Sequence, residues 1–131
     1  MGKNELKKVL IADDDDSIRA LVKTILEAAG YYVIAAVDGD QAIEFLYQPG
    51  FLDDLSFVIL DVMMPGSNGL DVLTRIKLNP ATAKIPVIML TGEGKDSDMV
   101  AGYDQGADYY ILKPFTRQQL LYGIKVATSS E

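Results

Sequence analysis

The sequence has no cysteine and no histidine. Without cysteine there is no disulfide framework and no thiolate metal site. Without histidine the chain lacks the commonest general base, the usual zinc ligand and any internal phosphohistidine. No apolar run approaches the roughly 20 residues that span a bilayer. No basic start leads into an apolar segment with a small-residue cleavage site, so neither a membrane span nor a signal peptide is expected. A cytoplasmic setting fits these absences. Positive charge is scarce: 12 Lys and Arg against 19 Asp and Glu give a net charge of −7. Such a chain repels a phosphate backbone, and direct nucleic-acid binding is not expected.

What is present reads as one domain over residues 1–131, with a core of about 7–127; that length can bury a sizeable core. The run Phe57-Val58-Ile59-Leu60-Asp61 is apolar without alternation, as in a strand buried on both faces of a parallel sheet. It ends in a lone carboxylate before Val62-Met63-Met64-Pro65-Gly66. Ligands in open α/β sheets sit beyond the carboxyl ends of strands. Taken alone, Asp61 serves equally well as a turn cap or as a group placed for chemistry.

The rest of the chain repeats the same unit. Lys7 to Ala12 reads as a first strand ending in Asp13-Asp14-Asp15-Asp16. Ile18, Leu21, Val22, Ile25 and Leu26 follow at helical spacing until Gly30. Tyr31–Ala36 is a second strand, and Asp38 to Gln41 resembles a capping box for a helix carrying Ala42, Ile43 and Leu46. Residues 48–56 form a loop with no evident role. Leu70, Leu73 and Ile76 mark a third helix stopped at Asn79-Pro80. Ile85–Leu90 is a fourth strand, ending at Thr91-Gly92. A weak helix is expected from Ser97 to Gln105, where Gly102 costs about 1 kcal/mol relative to alanine. Tyr109–Leu112 is a fifth strand ending at Lys113-Pro114, and a capping box from Thr116 to Gln119 opens a last helix with Leu120, Ile124 and Ala127. Alternating strands and helices imply a parallel sheet covered on both faces, a doubly wound three-layer sandwich.

The carboxyl ends of those strands carry Asp13 and Asp14, Asp61, Thr91 and Lys113. A twisted parallel sheet brings them to one edge. Two carboxylates about 4 Å apart repel by roughly 4 kcal/mol at an effective dielectric of 20. Three acids therefore ask for a cation, and all-oxygen ligands with room for water suit Mg²⁺. A lysine and a hydroxyl beside such an ion are the groups that neutralise a transferring phosphoryl group. Read singly, the aspartate run is a solvated loop with a helix cap at Asp15 or Asp16, Thr91 a turn residue and Lys113 a surface charge. Five such residues at four strand ends outweigh those separate readings.

The runs Val9-Leu10-Ile11-Ala12-Asp13-Asp14-Asp15, Val58-Ile59-Leu60-Asp61-Val62-Met63-Met64-Pro65-Gly66, Pro86-Val87-Ile88-Met89-Leu90-Thr91 and Gly106-Ala107-Asp108-Tyr109-Tyr110-Ile111-Leu112-Lys113-Pro114-Phe115 closely resemble the receiver domain of bacterial two-component response regulators. The resemblance covers about Lys7 to Ala127. It implies a flavodoxin-like (βα)5 fold with strand order 2-1-3-4-5. It further implies that Asp61 accepts phosphate from the phosphohistidine of a sensor kinase or a phosphotransfer protein. Asp14 and Asp61 would bind Mg²⁺ directly, Asp13 through water, and the Met63 carbonyl would add a ligand. Lys113 would pair with the phosphoryl oxygens, Thr91 would move to bond one of them, and the Tyr110 ring would turn inward on activation. Lys113–Pro114 matches the family's cis peptide. The readout face would be the weak helix, the fifth strand and the last helix, open to an output domain, an effector or a second copy. Asp16 stands where many relatives carry proline.

Other readings fit less well. A haloacid-dehalogenase-type phosphatase would want an acidic pair after the lysine, where only Glu131 follows. A flavodoxin carrier would want a Ser/Thr/Gly phosphate loop after the first strand, and a dinucleotide site Gly-x-Gly-x-x-Gly there. A receiver-like module that binds proteins without phosphorylation would usually lack one of the acid, threonine or lysine positions.

Overall fold

The computed structural model describes residues 7–92 and 106–129. Strands β1 (Lys7–Ala12), β2 (Tyr31–Ala36), β3 (Leu55–Asp61), β4 (Val87–Thr91) and β5 (Tyr109–Leu112) form one sheet in the order β2-β1-β3-β4-β5. All four pairings are parallel. Helices α1 (Asp16–Ala28), α2 (Gly39–Tyr47) and α3 (Gly69–Leu78) follow the first three strands, and a C-terminal helix spans Arg117–Ser129. The weak helix expected from Ser97 to Gln105 lies outside the described residues. Among the described residues no helix is long and apolar enough to cross a membrane.

The period of two along each strand divides the core. Leu10, Val58, Leu60 and Met89 point to one face, where they meet Ala42 and Leu46 of α2 and Val72, Leu73 and Ile76 of α3. Val9, Ile11, Phe57, Ile59, Ile88 and Leu90 point to the other, under Val22, Ile25 and Leu26 of α1 and Leu120, Ile124 and Ala127 of the C-terminal helix. Both faces of the central strands are therefore dry, which explains their unbroken apolar runs. Leu21 departs from the helical pattern and is exposed: α1 needs only a narrow stripe to cover its half of the sheet.

Side chains start the helices. Asp15 is the N-cap of α1, its Oδ1 accepting from the backbone N–H groups of Ser17 at 2.8 Å and Ile18 at 3.2 Å. Asp38 caps α2 through Gln41 N–H at 2.8 Å, but Gln41 Oε1 reaches back to Val37 N–H rather than to the cap residue. Asn68 and Asp71 form a reciprocal capping box on α3, as Thr116 and Gln119 do at the last helix. Replacing Asp15 with alanine should cost about 1 kcal/mol of stability in a urea titration, the usual size of a lost cap. A loss of several kcal/mol would show that Asp15 holds more than the helix.

The loop from 48 to 56 has a structural task. Phe51 is buried and stacks on Phe45 at 5.6 Å, and the Lys8 ammonium lies 4.3 Å above its ring. Lys8 N–H also donates to Asp54 O at 3.0 Å. The ring plugs the core at the amino ends of the strands, opposite the edge that carries the acids.

Candidate functional site

Hydrogen bonds that continue the ladders past the strand ends assemble this edge. Asp13 N–H donates to Ala36 O at 3.3 Å, Val62 N–H to Leu90 O at 2.9 Å, and Lys113 N–H to Thr91 O at 2.8 Å. Each of these residues just beyond a strand is thus tied to the neighbouring strand. Asp13 and Asp61 come together there with Lys113 between them: its Nζ lies 3.0 Å from Asp13 Oδ2 and 3.2 Å from Asp61 Oδ1. Asp13 is fully buried, Asp61 nearly so, and Asp14 faces solvent. Carboxylate oxygens of Asp13, Asp14 and Asp61 nevertheless lie within 4.8 Å of one another.

Among the described residues one ammonium faces three carboxylates and does not balance them. Burial, and then the neighbouring charge of Asp13, push the Asp61 carboxyl up from 3.8 to about 6, against the opposing pull of Lys113 and the Met63 backbone N–H. Burial alone would lower Lys113, but the two aspartates outweigh it and hold the ammonium above its ordinary value. Asp13 Oδ2 is buried and forms no hydrogen bond of good geometry despite the nearby ammonium. An under-satisfied buried carboxylate oxygen beside two further acids, in a chain without thiolate or imidazole, fits a hard divalent cation.

The expected residues stand as follows. Met63 directs its backbone N–H to the Asp61 carboxylate while its side chain is exposed. Thr91 is buried, and among the described residues its hydroxyl donates one long bond, 3.3 Å, to Gly92 O. Tyr110 is buried among the residues packed against α2 and α3, with Met89 opposite it in register. The Lys113–Pro114 peptide is cis. Gly69 packs against the back of Asp61: a Cβ there would come 2.2 Å from Asp61 O, so only glycine lets α3 begin here. Arg19 carries no sequence signal, since it lies on the polar face of α1. Its Nη1 donates to Asp13 O at 2.7 Å, and Nη2 pairs with Asp16.

A doubly wound sheet with this strand order, and acids, a threonine and a lysine gathered at its carboxyl edge, defines a class of signalling domains. The chain belongs to the response regulator receiver domain family, whose profile matches residues 9–125. It is 41% identical over 120 residues to the transcriptional regulatory protein CpxR of Escherichia coli, covering 92% of this chain and 48% of that protein. It is 35% identical over 125 residues to ResD of Bacillus subtilis, covering 95% and 49%. The chain thus spans about half the length of these curated relatives. Among solved structures, a response regulator receiver domain protein of Clostridium thermocellum superposes with a TM-score of 0.84 at 32% identity, covering 94% of each chain. The chemotaxis protein CheY4 of Vibrio cholerae gives 0.83 at 30%, covering 94% of this chain and 99% of that one. The chain is a receiver domain of the two-component type, a signalling domain and not a conventional enzyme.

Proposed function

We propose that this domain is a phosphorylation-dependent switch in which Asp61 is the phosphoacceptor. The observation that carries the reading is the ammonium of Lys113 lying between the two buried carboxylates, 3.0 Å from Asp13 and 3.2 Å from Asp61. Asp61 is mostly ionised at pH 7 with its carboxyl at about 6. One of its oxygens attacks the phosphorus of a phosphohistidine on a sensor kinase or phosphotransfer protein. An O–P bond forms, the N–P bond breaks, and the imidazole leaves with the electron pair. Lys113 offsets the charge gathering on the equatorial oxygens. The Thr91 hydroxyl, whose bond among the described residues is the long one to Gly92 O, turns toward the new phosphoryl group.

Asp13, Asp14, Asp61 and the Met63 carbonyl would hold Mg²⁺. When bound, the ion neutralises the acids and the incoming phosphoryl charge. Movement of Thr91 changes the packing beside β4 around the Tyr110 ring, which is already buried here, and that change reaches β5 and the C-terminal helix. There Leu112 and Tyr122 are exposed beside a groove of about 770 Å³. An output segment, an effector protein or a second copy would read that face.

Incubation with magnesium chloride and acetyl phosphate should add one phosphoryl group by intact mass, and Asp61→Asn should add none. Equal labelling of the mutant would sink the assignment.

A further inference from the structure

Arg19 stands outside the acid cluster yet grips the loop that carries it. Its side chain is only 16% exposed, against 90% for its partner Asp16, so the firm end of its fork is the one on the Asp13 carbonyl. That carbonyl belongs to the planar peptide leading into Asp14, so holding it fixes the plane on which the Asp14 Cα sits, while the Asp15 N–H on Asp13 Oδ1 restrains the far side of Asp14. Asp13 is held at its remaining polar atoms too: N–H on Ala36 O, Oδ1 accepting from Asp15 N–H at 2.9 Å, and Oδ2 beside Lys113. Asp14 by contrast is exposed and makes no hydrogen bond or ion pair among the described residues. Its carboxylate still converges with those of Asp13 and Asp61.

The geometry points to Arg19 as a positioning residue for cation binding: by clamping the Asp13–Asp14 peptide it aims the Asp14 carboxylate into the cluster. This rests on the Mg²⁺ reading of the site. Charge alone predicts the opposite result. A guanidinium near a cation site repels the cation, so removing it tightens binding. Loss of aim weakens binding. The sign of the change therefore separates the two, and lysine, a point charge without a planar fork, separates them again.

Calorimetric titration of the full chain with magnesium chloride, without phosphodonor, should give a Kd raised on the order of tenfold in Arg19→Gln, as for other partners that orient metal ligands. Arg19→Lys should also bind more weakly, although its charge is unchanged. Melting in chelator shows that each variant is folded, and if the glutamine variant is not, the lysine variant decides alone. An unchanged or tighter Kd in Arg19→Gln, or an unchanged Kd in Arg19→Lys, overturns the proposal. A wild-type chain that takes up no Mg²⁺ overturns the metal reading along with it.

Discussion

Replacing Lys113 with methionine should destabilise the metal-free domain by about 3 kcal/mol near pH 8, the cost of leaving a buried charge without its partner. The lysine stem is largely covered, and methionine keeps most of its length, so the packing loss is small. What disappears is the one ammonium shared by Asp13 and Asp61. Near pH 5 the loss should shrink, because an Asp61 carboxyl already raised to about 6 rises further without Lys113 and takes up a proton. Saturating Mg²⁺ should recover part of the deficit at high pH, since the ion binds the folded cluster and not the unfolded chain. Denaturant midpoints in chelator and in magnesium, at both pH values, check this. An equal loss under all four conditions would mean that Lys113 acts through its stem. The same variant should accept phosphate from acetyl phosphate more slowly.

The residues gathered at the carboxyl edge were legible because a parallel strand buried on both faces is a plain apolar run, and a polar residue ends it visibly. Leu60-Asp61 and Leu112-Lys113 are such endings. Once four such endings were found, the topology of a doubly wound sheet made their convergence a matter of geometry. The same signal misleads at α1, where Leu21 has the right spacing but faces solvent; periodicity counts apolar residues and not the width of the surface they must cover.

Two features left no such trace. Phe51 sits between Pro49-Gly50 and a pair of aspartates, the composition of a solvated loop, and only the fold shows its ring stacked on Phe45 beneath Lys8. Arg19 reads as one more charge on the wet side of a helix. Its partner is a main-chain carbonyl, and a backbone acceptor has no residue identity to search for. The choice of cap between Asp15 and Asp16 likewise rests on backbone conformation: Asp15 is extended while Asp16 is already helical.

Asp61→Asn should stabilise the metal-free domain above about pH 6 and leave it unchanged below about pH 4. Burial first, and repulsion from Asp13 second, raise the Asp61 carboxyl from 3.8 to about 6 in the folded chain. Between those values the folded state binds more protons than the unfolded one, so stability falls as pH rises through this window and then levels off for this group. A rise of that size corresponds to roughly 3 kcal/mol at full ionisation, as an upper figure. Asparagine has nearly the shape of the protonated acid and cannot ionise, so it removes that cost while retaining an amide that can meet Lys113 or the Met63 backbone. The comparison is the difference in unfolding free energy between wild type and mutant in chelator across this pH range, which cancels the titration of acids remote from Asp61. Mg²⁺ should then reverse the order, because the wild-type cluster gains a ligand that the mutant lacks. A mutant less stable than wild type near pH 8 in chelator would show that pairing with Lys113 outweighs burial and repulsion, and that the strain which cation and phosphoryl group are held here to relieve does not exist.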